Sequence, residues 1–219
     1  MIKILYGYFT YFLHPLQVNN YFRKNRQDLN ALSVPYLVDD EISLKLEDDI
    51  LALDFSDVLS VSWLFVIINC IYSLVLLNLG AALLKMVDSS RSYGNPKSLI
   101  FFTLAQAVLF PVGFYFFAKI WEKIVGFFTS VFRPEIEDID EVSRQIVAIS
   151  LTSHTFLLVP VLGTFIFYIA FAIYLFGGLK YNLGLRSLPA ILAILSPLFF
   201  LGIVFLVICL LIVSLFIGF

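Results

Sequence analysis

Long runs of uncharged, apolar residues separated by short polar stretches dominate the chain after residue 61. Residues 62–84 and 98–118 are two such runs, and residues 146–219 form a larger block. The only Lys, Arg, Asp or Glu residues of this block are Lys180 and Arg186. Because a membrane-spanning helix needs about 20 consecutive, mostly apolar residues, the pattern predicts an all-α, polytopic membrane protein built as a bundle of transmembrane helices.

Two breaks divide the large block. Pro160–Gly163 combines a residue that cannot donate a helix hydrogen bond with one that relaxes the backbone, and residues 177–189 form a polar, Gly-containing loop. Residues 146–179 exceed the roughly 17–25 residues of an ordinary span, so we interpret them as a hairpin of two short spans, 146–159 and 162–179. A last span, 190–217, is kinked at Pro197 or preceded there by a short entry helix. The sequence thus predicts five spans in a transmembrane domain of residues 62–219.

Residues 1–27 form an apolar, strongly aromatic segment that ends in a basic cluster. The segment is too short to span and is interrupted by Pro15. Since tyrosine favours the headgroup level of a bilayer, the pattern predicts an N-terminal interfacial amphipathic helix. Its basic residues, Arg23, Lys24 and Arg26, are candidate contacts to anionic lipid. Packing of this segment on the protein's own spans is an open alternative and is compatible with the first.

Residues 28–61 form an acidic segment, which we expect on the cytoplasmic side. It contains nine carboxylates and one cation, Lys45. A solvated segment, a docking surface for a partner and a cation site are the alternatives, although the order of residues does not fit a calcium-binding loop. The residues proposed for a partner surface are Asp39, Asp40, Glu41, Asp48 and Asp49.

Residues 119–133 follow the second span and have a helical period of polar and apolar residues. The polar face contains Lys119, Glu122 and Lys123, and Pro134 ends the pattern. The period predicts an amphipathic helix lying in the interface, or a span that continues and bends at the surface. Lys119 and Lys123 are further candidate lipid contacts.

The distribution of charge predicts the orientation of the chain. Charged residues make up 14% of the sequence, against about 25% in a soluble domain. With five spans, 11 Lys and Arg residues lie on one side and 3 on the other. The positive-inside rule then places the N-terminus in the cytoplasm and the C-terminus outside. The two cysteines, Cys70 and Cys209, fall in predicted spans and are interpreted as apolar fillers.

One group inside the predicted spans titrates near neutral pH, His154. An ionisable residue in a membrane is a functional candidate, and a polar cluster of His154, Gln106 and Asn69 could line a path for a solute or a proton. The alternative is that these side chains form hydrogen bonds between helices. The sequence contains no recognisable catalytic, phosphate-binding or metal-binding motif, so we expect a protein that is not an enzyme and uses no cofactor.

Several segments resemble the Yip family of five-span membrane proteins, which have a cytoplasmic N-terminus. Four segments carry the resemblance. Ser150–Gly163 is a polar-then-apolar run that ends in a Pro–Gly turn, and Ile173–Lys180 is the end of a span, with the residues Ile-Tyr-Leu-Phe-Gly-Gly-Leu-Lys. Leu183–Ala190 is a basic loop with Leu-Gly-Leu-Arg-Ser-Leu-Pro-Ala, and Leu13–Phe22 is an entry segment with Leu-His-Pro-Leu-Gln. The Asp-Leu-x-Gly-Pro-type motif of the eukaryotic branch is not in this sequence, which favours a bacterial-type member in the inner membrane.

The resemblance implies a non-enzymatic scaffold that organises a membrane assembly or shapes the bilayer. Its expected partners are the lipid bilayer and other membrane proteins, a second copy of the chain among them, and no nucleic acid. The alternative is a small transporter or channel component built around the polar cluster.

Overall fold

The computed structural model describes residues 2–26, 53–87 and 96–217, and these ranges are helical with no strand. The α-helices are α1 (Ile2–Leu13), α2 (Pro15–Asn25), α3 (Phe55–Val87), α4 (Pro96–Phe132), α5 (Ile139–Leu151), α6 (Gly163–Gly177) and α7 (Ser187–Ile217). A 3₁₀ segment, Thr152–Leu158, extends α5, and a π-helical turn, Gly178–Asn182, extends α6. The predicted all-α class is confirmed.

Four stretches are long and apolar enough to cross a membrane, and the chain is a multi-pass membrane protein. They are Phe55–Gly80, Ile100–Phe132, Gly163–Asn182 and Ser187–Leu210. Four of the five predicted spans overlap these stretches. The remaining one, 146–159, falls on α5 and the 3₁₀ segment, so its crossing of the membrane stays a prediction.

The α5–3₁₀ segment forms the centre of the bundle. Residues 146–154 are all buried, and α6 packs back along the segment in the opposite direction, with Phe167 beside His154 and Gly178 beside Ile146. The chain reverses at residues 159–162, where Val161 has a φ of 66°. Gly163 begins α6 at a point where a Cβ would lie 2.5 Å from the carbonyl oxygen of Phe156, so the turn requires glycine.

The N-terminal segment folds as two helices that pack on the rest of the protein. Pro15 is the first residue of α2, and the helical structure is interrupted at His14. One face of α1, which includes Tyr8 and Tyr11, is buried, while Ile2 and Leu13 on the other side are exposed. The segment therefore packs on the protein's own helices, while its position in the membrane interface stays a prediction, with an apolar surface still facing outward.

Residues 119–132 do not form a separate helix, since α4 continues through them to Phe132. The exposed residues of this part are mainly apolar: Ile120, Phe127, Val131 and Phe132. The buried stripe of the helix contains Glu122, Val125 and Thr129. The Oγ1 of Thr129 donates to the carbonyl oxygen of Val125 at 2.8 Å, and Glu122 pairs with Lys119. The polar groups are thus satisfied inside, and apolar side chains face outward as they do against lipid.

We expect Gly178→Ala to destabilise the bundle. A Cβ at this position would lie 2.5 Å from Cγ2 of Ile146, which is fully buried and, being β-branched, has restricted rotamers. Overpacking of this kind costs about 1–3 kcal/mol. Thermal unfolding of the detergent-purified protein measures the effect.

Gly113→Ala in α4 is the matched control. A Cβ there would have no atom within 4 Å, so this change is expected to be neutral or to stabilise by up to about 1 kcal/mol through helix propensity. Equal melting temperatures for the two variants would contradict the close packing of α6 on α5.

Candidate functional site

The polar stretch of residues 150–155 lies at the junction of α5 and the 3₁₀ segment, in the interior of the bundle. Each hydroxyl of this stretch donates to a carbonyl oxygen three or four residues earlier, with Ser150 on Ile146, Thr152 on Ile149, Ser153 on Ser150 and Thr155 on Thr152, at 2.6–2.9 Å. Ser and Thr side chains that bond to the backbone in this way compete with regular helix hydrogen bonds. We infer that they favour the change from α to 3₁₀ geometry here.

His154 lies in an aromatic enclosure. Its ring centroid is 4.2 Å from that of Phe167, 5.5 Å from that of Phe110 and 5.6 Å from that of Phe114. The Nδ1 atom is 2.7 Å from the carbonyl oxygen of Leu151. Because a carbonyl oxygen only accepts, Nδ1 carries the proton of this bond. The imidazole is therefore both packed and oriented by its own segment of the chain.

Asn69 and Gln106 occupy different environments. Nδ2 of Asn69, on α3, donates to the carbonyl oxygen of Leu157 at 2.8 Å and joins α3 to the 3₁₀ segment. Gln106 is exposed on α4. Among the described residues, His154 and Asn69 thus bond to carbonyls of the same central segment, while Gln106 faces outward and is not brought together with them.

Tyrosines of α1 anchor the N-terminal helices to the interior. The hydroxyl of Tyr8 lies 3.2 Å from Oγ of Ser62 on α3 and donates to the carbonyl oxygen of Thr152 at 3.1 Å. The hydroxyl of Tyr11 accepts a hydrogen bond from the backbone N–H of Leu53 at 3.3 Å. Burial raises the pKa of Tyr8 and raises the pKa of Tyr11 to about 12, so both hydroxyls are protonated at neutral pH.

The loop that follows α6 is held by guanidinium groups. Nη2 of Arg26 donates to the carbonyl oxygen of Asn182 at 2.8 Å and also bonds to its side-chain oxygen. Nδ2 of Asn182 in turn donates to Oδ1 of Asn19 at 3.2 Å. Carbonyls at the end of a helix lack partners within the helix, and cations are favourable at this negative end of the helix dipole. Arg26 therefore caps the end of the π-helical turn.

Arg133 and Arg23 complete what we call the arginine cluster, Arg23, Arg26 and Arg133. Nη1 of Arg133 donates to the carbonyl oxygen of Leu183 at 2.5 Å, and its Nε pairs with Glu135. A bond to its own backbone N–H and the guanidinium of Arg133 lower the pKa of Glu135. Arg23 is only 3% exposed. Its Nη2 atom lies 2.7 Å from the point where a Cβ of Gly184 would be, and Gly184 has a φ of 67°.

The remaining predicted lipid contacts differ in their surroundings. Nζ of Lys119 lies 2.7 Å from the buried carboxylate of Glu122. Nζ of Lys123 lies 3.5 Å from Asp140, with both side chains largely exposed. Lys24 is exposed, whereas Arg23 and Arg26 point into the protein as described above.

The residues proposed for an acidic partner surface, Asp39, Asp40, Glu41, Asp48 and Asp49, lie outside the described residues. That interpretation stays a prediction.

The sequence interpretation did not single out three residues that the structure places at junctions: Tyr8, Arg133 and Asn182. A usable signal existed for Asn182, because Asn followed by Gly two residues later is typical of a tight turn. Arg133 precedes Pro134 and could be recognised as a helix-terminal cation. No comparable signal distinguishes Tyr8 from the other tyrosines of α1.

We expect Tyr8→Phe to weaken the attachment of α1. The change removes a buried hydroxyl that contacts both α3 and the 3₁₀ segment and leaves the carbonyl of Thr152 with one donor fewer, at a cost of about 0.5–1.5 kcal/mol. Tyr115→Phe, at an exposed position of α4, is the control and should leave the stability unchanged. Thermal unfolding, together with limited proteolysis of the N-terminal helices, measures both. Equal behaviour of the two variants would show that the Tyr8 hydroxyl does not fasten α1.

No protein-family model, curated protein or solved structure matches this chain.

Proposed function

We propose that the chain is a bacterial-type Yip protein with five spans, a non-enzymatic scaffold of the inner membrane that organises a membrane assembly or shapes the bilayer. The observation that carries this proposal is the enclosure of His154 by three phenylalanine rings, with its Nδ1 bonded to a carbonyl of its own segment. A polar group fixed in this way contributes to packing. A transport path needs a group that can exchange a proton or a ligand with water.

The outer surface supports the same proposal. Helix α7 carries a long series of exposed apolar side chains, among them Leu198, Phe199, Phe200, Ile203, Phe205 and Leu206. Exposed apolar residues likewise cover parts of α3 and α4. Surfaces of this kind are covered by lipid or by helices of other membrane proteins. A second copy of the chain and other membrane proteins are thus the proposed partners, together with the bilayer itself.

A fifth span would cross the membrane through the central α5–3₁₀ segment, and it would be a short one. At about 1.5 Å per residue in α5 and 2.0 Å in the 3₁₀ segment, the uncharged residues 146–158 reach roughly 23 Å, against about 30 Å of hydrocarbon, a mismatch that a bilayer accommodates by thinning locally. The beginning of the α5–3₁₀ segment carries exposed charges, including Asp140 and Arg144. Its other end meets the exposed apolar turn at Val161 and Leu162. An odd number of spans puts the two termini on opposite sides, with the N-terminus in the cytoplasm by the positive-inside rule.

Reporter fusions test this topology. We expect a green fluorescent protein at the N-terminus to be bright and one at the C-terminus to be dark. Alkaline phosphatase at the C-terminus should be active, because it folds only outside the cytoplasm. A bright fluorescent protein and an inactive phosphatase at the C-terminus would mean four spans, with the α5–3₁₀ segment buried among them without crossing.

The substitution His154→Phe separates a scaffold from a transporter. Phenylalanine continues the aromatic packing around residue 154 but cannot hold a proton. We expect wild-type and variant proteoliposomes to show the same proton leak as empty liposomes, measured with an internal pH-sensitive dye. We also expect both proteins to purify in mild detergent with the same set of membrane partners.

A proton flux in the wild type that disappears in a folded His154→Phe protein would overturn the scaffold proposal. The wild type purifying alone as a monodisperse species would also contradict it. A variant in which five carboxylates are replaced by their amides tests whether partners dock through the acidic segment: Asp39, Asp40, Glu41, Asp48 and Asp49. If they do, this variant loses the partner set while it retains the fold.

A further inference from the structure

Two exposed cations, Lys180 and Arg186, belong to the loop between α6 and α7. Two more, Lys24 of α2 and Arg144 of α5, are exposed on helices that contact the π-helical turn at the start of this loop. Their neighbours in the chain are joined to the loop, since Arg26 bonds both to Asn182 and to Oε1 of Gln145, the latter at 3.4 Å. We call these four residues, Lys24, Arg144, Lys180 and Arg186, the cationic rim.

The arginine cluster lies against the same loop, with Arg133 also paired to Glu135. Nη2 of Arg23 and Nη1 of Arg133 lie 2.7 and 2.8 Å from the same point, the position that a Cβ of Gly184 would take. These two nitrogens are therefore no more than about 5.5 Å apart, which is the most that those two distances allow. Like charges this close raise the local positive potential. Since Arg26 and Arg133 are bonded to the carbonyl oxygens of Asn182 and Leu183, these two charges are held in place.

Aromatic side chains fix the position of Lys180. Its Nζ lies 5.9 Å from the ring centroid of Phe176 and 5.8 Å from that of Tyr181. Attraction between a cation and the face of an aromatic ring restricts the lysine. Tyrosine is enriched at the boundary between lipid and water, so the ammonium group is presented at that boundary.

The rim lies where the apolar surface of the bundle begins. Arg186 is followed after one residue by Leu188, which is 71% exposed and starts the outer surface of α7. Helix α7 itself begins at Ser187, so the positive end of its dipole is at the same level. In a bilayer, the phosphate groups of the lipids lie in the polar headgroup layer just outside the hydrocarbon.

We infer that the loop of residues 178–186 is a binding site for the phosphate of an anionic phospholipid headgroup. Lys180 and Arg186 contact the phosphate, and Lys24 and Arg144 contribute to the positive electrostatic potential around it. The arginine cluster holds the loop in the required conformation through the bonds of Arg26 and Arg133 to its carbonyl oxygens. This site is distinct from the predicted contacts at Lys119 and Lys123, whose ammonium groups face the carboxylates of Glu122 and Asp140. It requires that the chain be a membrane protein but not that it be a scaffold.

Native mass spectrometry of the full-length, detergent-purified protein tests the site. Phosphatidylglycerol and phosphatidylcholine are titrated separately into the wild type, the double variant Lys180→Gln/Arg186→Gln, and a control that also loses two charges, Arg91→Gln/Lys97→Gln. We expect the wild type and the control to bind phosphatidylglycerol tightly and phosphatidylcholine weakly. In the rim variant, affinity for phosphatidylglycerol should fall on the order of tenfold or more, because each cation near a lipid surface contributes a several-fold factor.

Three results would overturn the assignment. The first is equal binding of the two lipids by the wild type. The second is an equal loss of phosphatidylglycerol binding in the rim variant and the control, which would indicate general attraction by surface charge. The third is displacement of the lipid by millimolar inorganic phosphate, with phosphate itself bound by the wild type and not by the rim variant. That result would assign the site to a soluble anion.

Two further variants keep the test independent of folding. Lys180→Arg/Arg186→Lys preserves both charges and should retain phosphatidylglycerol binding. If the double glutamine variant does not fold, Lys180→Gln alone carries the test, with an expected loss of several-fold. An unchanged affinity in the folded single variant would then contradict the role of Lys180.

Discussion

Polar groups inside a lipid-embedded bundle must find their partners within the protein, because the hydrocarbon offers none. This constraint explains the centre of the structure. The hydroxyls of Ser150, Thr152 and Ser153 return to nearby carbonyls, the imidazole of His154 does the same, and Asn69 supplies a donor from α3. The central segment therefore carries polar groups into the interior of the molecule, beside its own buried apolar residues Ile146, Ile149 and Leu151.

The sequence predicted the elements well because hydropathy and helix breakers act locally. The reversal of the chain falls where Pro160 and Gly163 stand, and the long apolar runs became α3, α4 and α7. The sequence did not predict which way each face points. In residues 119–132 the period of the pattern is helical, but Glu122 and Thr129 are inside while Phe127 and Val131 are outside. The period of polar and apolar residues alone does not determine which face of a helix points toward the protein interior when the surrounding medium is apolar.

The candidate site was predictable only in part, for a related reason. His154 can be recognised from the sequence as an ionisable group in an apolar block. Only the fold shows that three phenylalanine rings enclose it. Arg23 and Arg26 read as a basic cluster beside a membrane, and the structure shows that Arg26 and Arg133 cap the end of a helix more than 45 residues away in the chain. Contacts at such separations depend on how the helices assemble, which a single sequence does not encode in any local pattern.

Helix α4 extends over 37 residues, or roughly 55 Å at about 1.5 Å per residue. The hydrocarbon of a bilayer is about 30 Å thick, so a helix with apolar outward faces along most of this length must lean or bend at Pro111 to keep them covered. If the helix bends, so that one half is more inclined than the other, the inclined half excludes lipid from a larger area in its leaflet than the other half does in the opposite leaflet. Unequal leaflet areas give the surrounding membrane a spontaneous curvature, and many copies in one region would add their contributions. The length of this single helix thus connects the fold of the chain with the curvature of the surrounding bilayer.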